Sequence, residues 1–472
     1  LKELGYNFEI SIESRKHGYG LTKNVIDKYA DLGYDMLITA DFGIQQYKEV
    51  EYAYSKGFKK VIVIDHHTII PELVPKCDCV INPKFNGSDY PYYSLSAGAT
   101  CYKLFKDYYE FLGLQFDKSK DLLRMAAISN IADMVSLQNG TWELTKQGLQ
   151  MLHLAKDKLL KVQLEKQLKY KSRLTELDVA FGVAPVIGSV SRVADPVEYT
   201  VPFVLGDLSK YEDMLELNKL RKQIQQTAIE KAISEIKNSQ LLFGKVKDII
   251  FYVSEDIPDG VCGLVASGLT KEFNKPAVVM NVRGDGNVLG GSGRSVGSFN
   301  LLEALNRYPK WLSCAGHSMA LGVSINKSNL EDLLNSVALT DYIEEHKHEL
   351  ESKTQYYKIN LDEVPFYFDT LQQYAPFGQG NPRPKFYSEN VEIERYYKYE
   401  STGFTNLKLN QIADSWGCWI DQTIEVQAMV FTPFEFSLGD VIDIVYYIED
   451  SNKIVIEAIR KVELYEDNDS SW

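Results

Sequence analysis

Apolar and polar positions alternate along this chain in blocks that change period several times. Residues 35–40 form an apolar, strand-like run that stops at Asp41-Phe42-Gly43. Residues 45–56 follow as a helical stretch closed by Gly57. Residues 61–64 are an unbroken β-branched run, the composition of a buried strand, and it stops at Asp65-His66-His67. Strand, helix, strand predicts a βαβ unit with two parallel strands. Asp41 and the Asp65-His66-His67 triplet then leave the sheet at one carboxyl edge, where open α/β sheets place their ligand crevice. Polar, titratable side chains cannot continue such strands into a core without cost.

Further along, residues 96–109 and 122–131 read as apolar helices, and the second delivers Ala132-Asp133-Met134. An aspartate in that apolar setting needs a partner, though a helix-terminal Asp is common by itself. Residues 211–237 form the longest helical stretch and predict a connector between domains. A second α/β region is expected next, with strands at 247–253 and 276–280 around a helix from Gly260 to Phe273. Its glycine-rich segment, Gly290-Gly291-Ser292-Gly293-Arg294, is read as a loop whose backbone amides can approach an anion. Asn300 is expected to cap a helix over 301–306, and His317 to stand at a helix start opened by Gly316. A turn-rich linker at 377–384 leads to five short strands, at 391–397, 404–409, 423–431, 441–448 and 453–462. Five strands of that size predict a small OB-like barrel, with Tyr396, Tyr397, Phe404 and Trp419 as base-stacking candidates.

The 472 residues exceed what one core supports, and two to four domains follow. No apolar run reaches the length of a membrane span. The 6 cysteines are scattered without a zinc pattern, which predicts a reduced, cytoplasmic protein. The Cys77-x-Cys79 alternation fits a strand with two small buried side chains. A net charge of −14 argues against nucleic acid as a partner unless charge is segregated. Lys156, Lys158, Lys161, Lys166, Lys169, Lys171 and Arg173 make one such basic stretch, readable equally as a solvated helix face. The carboxylates and imidazoles at residues 41 and 65–67 form a hard oxygen-and-nitrogen set suited to Mn²⁺ or a similar divalent ion.

The ordered series of motifs resembles the DHH phosphoesterase superfamily, and within it the RecJ-like single-strand exonucleases. Asp41-Phe42-Gly43, Asp65-His66-His67 and Asp133 match its later acidic motifs. The Ser292-Gly293-Arg294-Ser295 and Gly316-His317-Ser318-Met319-Ala320 segments resemble its DHHA1 domain. Residues 377–384 resemble the RecJ-like linker. The resemblance implies a parallel-sheet DHH domain over 1–210, a connector helix over 211–238, an α/β DHHA1 domain over 239–352, a linker and OB-like barrel over 353–465, and an acidic tail over 466–472.

The same resemblance implies two divalent ions, Mn²⁺ or Mg²⁺, with Asp41, His66 and Asp133 as ligands. Asp65 would orient a neighbouring histidine, and His67 and His317 would act at the scissile group. Arg15, Arg192, Ser292 and Arg294 would bind phosphate, although the segment around Arg15 read by itself is a surface loop, and the residues before Arg192 depart from the family pattern. The implied activity is 5′→3′ hydrolysis of single-stranded DNA to nucleoside 5′-monophosphates, in repair or recombination, by a monomer working beside a single-strand-binding protein or helicase. The first family motif, with two further aspartates, is expected before Leu1: either an N-terminal segment carries it or the chain is a degenerate relative. The alternatives are a phosphodiesterase of oligoribonucleotides or cyclic dinucleotides, and a non-catalytic DNA-binding scaffold.

Overall fold

The computed structural model describes residues 4–12, 20–85, 90–116, 119–152, 174–204, 207–238, 248–284, 286–307, 312–350, 355–399, 404–411, 426–430, 435 and 437–462. Arg15, Trp419 and the basic stretch at 156–173 lie outside these residues. The chain divides into two compact units, Leu1–Ser352 and Lys353–Trp472. No described helix is long and apolar enough to cross a membrane.

The first unit begins with α1 (Lys23–Asp31), β1 (Met36–Ala40), α2 (Tyr47–Ser55), β2 (Lys60–Ile64) and β3 (Cys79–Ile81). The three strands form one parallel sheet in the order β1-β2-β3. Val61 and Val63 of β2 are fully buried and pack with Ile26 of α1 and Val50 and Ala53 of α2. Three helices follow: α3 (Ala97–Phe111), α4 (Ser119–Ala132) and α5 (Asn139–Leu152). A π-helical turn at Val179–Val183 then runs into α6 (Ala184–Val193).

The connector α7 (Tyr211–Asn238) has 28 residues, about 42 Å at 1.5 Å per residue. Its two halves serve different cores. Tyr211 and Met214 pack with Val186, Val190 and Phe203, whereas Ala228, Ala232 and Ile236 pack on the second sheet.

That second sheet contains β4 (Ile250–Val253), β5 (Ala277–Arg283), β6 (Val288–Arg294), β7 (Leu312–His317) and β8 (Ala320–Asn326), in the order β4-β5-β6-β8-β7. The period of two sorts its side chains between two cores. Ile250, Tyr252, Ala277 and Val279 face α7 and α8 (Asp259–Phe273). Phe251, Val278 and Met280 face the opposite core, with Leu301 of α9 (Leu301–Asn306) and Tyr342 of α10 (Val337–Glu345).

The second unit holds β9 (Tyr356–Lys358), α11 (Val364–Tyr374) and strands β10 (Lys385–Tyr399), β11 (Phe404–Gln411), β12 (Val426–Val430), β13 (Val441–Asp450) and β14 (Lys453–Lys461). The pairings β10-β11-β12-β14-β13 close because β13 also pairs with β10. β10 serves both neighbours by bending: its register shifts between Ser388 and Val391 and again between Ile393 and Arg395. The result is the expected closed five-stranded barrel, with β12 and β14 parallel and the other pairs antiparallel.

Three local expectations change. Cys79 is exposed and only half of the Cys77-x-Cys79 pair enters β3, so the alternation does not bury two small side chains. His317 ends a strand rather than starting a helix. The glycine-rich segment is not a loop but β6, hydrogen-bonded on both edges. Its glycines answer to packing: a Cβ on Gly291 would lie 1.9 Å from the Val279 carbonyl oxygen.

That clash predicts that Gly291→Ala destabilises the first unit by about 3 kcal/mol or more, since backbone cannot yield as a side chain can. Gly188 of α6 has nothing within 4 Å of its added Cβ, so Gly188→Ala should stabilise by about 0.5–1 kcal/mol through helix propensity. Urea unfolding followed by circular dichroism should show midpoints moving in opposite directions.

Candidate metal centre

The parallel register sets three polar residues side by side. Ala40 pairs with Ile64, and Ile64 with Ile81. Asp41, Asp65 and Asn82 are therefore each the first residue beyond their strand. Asp41 N–H donates to the Ile64 carbonyl and Asp65 N–H to the Ile81 carbonyl, both at 3.0 Å. Asp41 has φ +73°, a left-handed conformation that costs a non-glycine residue energy and clusters at functional sites.

Asp65 is 1 % exposed and spends its oxygens on its own loop. Oδ2 accepts from Ile44 N–H at 3.0 Å; Oδ1 accepts from His66 N–H at 2.7 Å and His67 N–H at 3.1 Å. Oδ1 also lies 2.7 Å from His67 Nδ1. Burial alone would raise this carboxyl, but the hydrogen bond and charge of His67 and the backbone N–H groups of Ile44 and His67 hold it below the usual carboxylate range. It is thus an ionised acceptor, and His67 Nδ1 carries the proton facing it. Burial opposes the charged form of His67, yet Asp65, and then the charges of Asp41 and Asp133, raise it above its ordinary value. Asp41, Asp65 and His67 bring ligand atoms within 4.8 Å of one another, and Asp65 Oδ1 is already met by His66 N–H, His67 N–H and His67 Nδ1.

His66 turns the other way. Its buried Nε2 lies 3.2 Å from Asp41 Oδ1 and 3.1 Å from Asp133 Oδ2, yet makes no hydrogen bond. The nitrogen thus has a carboxylate oxygen about 3 Å away on each of two neighbours, a spacing that ligands of one ion can adopt. The donor set and the orphaned nitrogen fit a hard divalent ion. Asp133 is raised by desolvation in this crowded floor, then by the Asp41 carboxylate, against the cationic pull of His66, His67 and Lys84. A bound cation would reverse that push.

Asp133 follows α4, and Met134 beside it has φ +52°. A buried polar network holds this helix end. Asn130 Oδ1 accepts from Ser96 N–H at 3.1 Å and its Oγ–H at 2.8 Å, while Asn130 Nδ2 donates to Thr145 Oγ1 at 3.0 Å. These bonds tie α3, α4 and α5 beneath Asp133.

The second sheet contributes His317. β7 and β8 meet in a two-residue hairpin in which His317 pairs with Ala320. The His317 ring stacks on His67 with centroids 5.6 Å apart and an interplanar angle of 8°, and lies 5.9 Å from His66. Burial, then the neighbouring charges of Lys84, His67 and His66, push His317 down to about 4.

A second cluster gathers the other candidates. Arg192 Nη1–H donates to the Gly260 carbonyl at 2.7 Å. A Cβ on Gly263 would lie 2.8 Å from Arg294 Nη2 and 3.4 Å from Ser292 Cβ. Arg192 therefore lies against the first turn of α8 at Gly260, and Ser292 and Arg294 against Gly263 about one turn on.

Sequence reasoning missed Asn82, Lys84 and Asn130. Asn82-Pro83 closes its strand at the same level as Asp41 and Asp65, and that parallel placement was the available signal. Asn130 carries no such signal, because a polar residue within a helical run reads as exposed.

Family models match twice: the DHH family, N-terminal domain, over residues 1–135, and the DHHA1 domain over residues 245–343. The chain therefore carries a DHH N-terminal domain followed by a DHHA1 domain. It is 28% identical over 408 residues to the single-stranded-DNA-specific exonuclease RecJ of Bacillus subtilis, covering 84% of this chain and 50% of that one. It is 26% identical over 415 residues to RecJ of Haemophilus influenzae, covering 82% of this chain and 71% of that one. The DHH–DHHA1 chain thus spans half the length of the Bacillus relative. In fold it is similar to the crystal structure of RecJ in complex with Mn²⁺ from Thermus thermophilus, with TM-score 0.71 and 19% identity, covering 93% of this chain and 64% of that one.

In the metal-free chain, selective imidazole NMR should show His67 titrating with a midpoint above 6.5 and His317 remaining neutral from pH 8 down to about 5. The signs of the stability effects are opposite. A depressed His317 favours the folded state above 6.5 and loses that contribution as pH falls toward 4. A raised His67 contributes fully below 6.5 and loses it as pH rises through its folded value. A His317 midpoint near 6.5 would contradict the stacked, enclosed site.

Proposed function

We propose that this chain is a metal-dependent 5′→3′ exonuclease on single-stranded DNA, releasing nucleoside 5′-monophosphates. The observation that carries the reading is the approach of Asp41 Oδ1 and Asp133 Oδ2 to the buried His66 Nε2, whose ring neighbours the stacked His67 and His317. The RecJ relatives are single-stranded-DNA-specific exonucleases by name, and the Thermus protein was crystallised with Mn²⁺.

Asp41, His66 and Asp133 would hold Mn²⁺ or Mg²⁺. The bound ions would supply a more acidic water and neutralise charge on the phosphoryl oxygens. The chain's own residues do the rest. Asp65 fixes the His67 ring through Nδ1, leaving Nε2 as the atom that protonates the departing 3′ oxygen. Neutral His317, stacked on His67, restricts the ring's rotation and presents its own nitrogen to the scissile group. Arg192, Ser292 and Arg294 bind the terminal 5′ phosphate at the α8 N-terminus, where the helix dipole adds to two guanidinium groups. Arg15 is proposed to join them.

The barrel is the observation that favours a long strand over a dinucleotide. On it a cavity of about 330 Å³ is lined by Arg395, Tyr396, Tyr397, Asn406 and Lys408. Tyr396 and Tyr397 are exposed beside those cations, the combination on which bases stack. The described cysteines are all free thiols, consistent with our placement of the protein in the reducing cytoplasm. A single-strand-binding protein or helicase would supply its substrate.

The test is incubation with Mn²⁺ and 5′-phosphorylated, 3′-labelled single-stranded DNA. Stepwise shortening from the 5′ end is expected, with a loss of at least about 10³-fold in Asp41→Ala. Tyr396→Ala should raise KM about tenfold on a long strand and leave dinucleotide cleavage unchanged. Tight binding without cleavage would support the scaffold reading, and preference for dinucleotides the small-phosphodiesterase reading.

A further inference from the structure

Lys84 has no role in the site as assembled so far. It lies in the turn after β3, and that turn is pinned to the Asp65-His66-His67 triplet. Asn82 Nδ2 donates to the His67 carbonyl at 3.1 Å, and Asn82 Oδ1 accepts from Lys84 N–H at 2.9 Å. Phe85 N–H closes the turn onto the Asn82 carbonyl at 3.3 Å. Asn82 and Pro83 are buried, and Lys84 is half-buried. The backbone at Lys84 is therefore held as firmly as that of the histidines.

Its ammonium sits in the field of Asp133 and Asp65 and acts on His317. Among the described residues it makes no hydrogen bond and no ion pair within 4.0 Å. Burial pushes Lys84 below its ordinary value, so holding the charge here is costly. A cation in the field of Asp133 also opposes the binding of a metal ion there. Two unfavourable terms at a fixed position call for an anion that arrives from outside.

We propose that the Lys84 ammonium binds a non-bridging oxygen of the phosphodiester being cleaved, placing that phosphate between the metal ligands and His67. The proposal rests on the phosphodiesterase reading above. Lys84 stays protonated throughout and exchanges no proton with substrate.

Lys84→Met keeps the length of the side chain and removes its charge, and Lys84→Arg keeps the charge. Binding of thymidine 5′-monophosphate is measured by calorimetry with Mn²⁺ present, in an Arg294→Ala background that removes the other candidate phosphate contact. Mn²⁺ binding alone is measured in parallel. Lys84→Met should weaken nucleotide binding by roughly tenfold to a hundredfold, leave Mn²⁺ binding equal or tighter, and lower kcat on single-stranded DNA; Lys84→Arg should recover part of each loss. Unchanged nucleotide binding in Lys84→Met would overturn the proposal. So would a parallel loss of Mn²⁺ binding, which would make Lys84 a support for the loop. Lys84-dependent nucleotide binding in a chain that cleaves no DNA would sustain the phosphate contact and remove the nuclease reading.

Discussion

The buried carboxylate of Asp65 is the constraint on which the site depends. Four donors from Ile44, His66 and His67 meet its two oxygens. Together they turn the chain sharply at the end of β2 and send two adjacent imidazoles in different directions. His66 is left facing Asp41 and Asp133, while His67 is held by its Nδ1 proton. A neutral amide at this position could accept through one atom only, and its NH2 would set a donor against one of the donors that now face the carboxylate. The loop would lose its fixed shape before it lost any ligand.

This arrangement works because the parallel sheet has already brought the parts level. The register that pairs Ala40 with Ile64 and Ile64 with Ile81 delivers Asp41, Asp65 and Asn82 to one edge. Asp41 accepts a left-handed backbone there, and Asp133 arrives at the end of a helix anchored by Asn130. The second sheet then closes the site with a single hairpin, whose tip places His317 on His67. Substrate and metal would meet between elements separated by more than two hundred residues, which is why α7 shares its two halves between two cores.

Much of this was legible in sequence for one reason. An abrupt change from β-branched to titratable residues marks a strand end at a crevice, and Asp41 and Asp65-His66-His67 both show it. The five barrel strands were legible by their alternation, though β10 runs longer than its apolar core because it bends to serve two partners. What was not legible depends on packing across the sheet. Residues 290–293 look like a flexible anion loop, but small side chains are needed there because the Val279 backbone lies against Gly291. Cys314-Ala315-Gly316-His317 has too short a pattern to separate a hairpin from a helix start. Lys84 looks like any surface lysine until its turn is seen fastened to His67.

The central claim is that Asp41, His66 and Asp133 form the binding site of a divalent ion. Electron paramagnetic resonance of Mn²⁺ titrated into the metal-stripped chain tests it directly, without reference to any substrate. The account predicts saturable loss of the free-ion signal in the native chain and weakening by about tenfold or more in His66→Ala, with Asp65→Asn binding more weakly than the native chain but more tightly than His66→Ala. Equal Mn²⁺ affinity in the native chain and His66→Ala would contradict it.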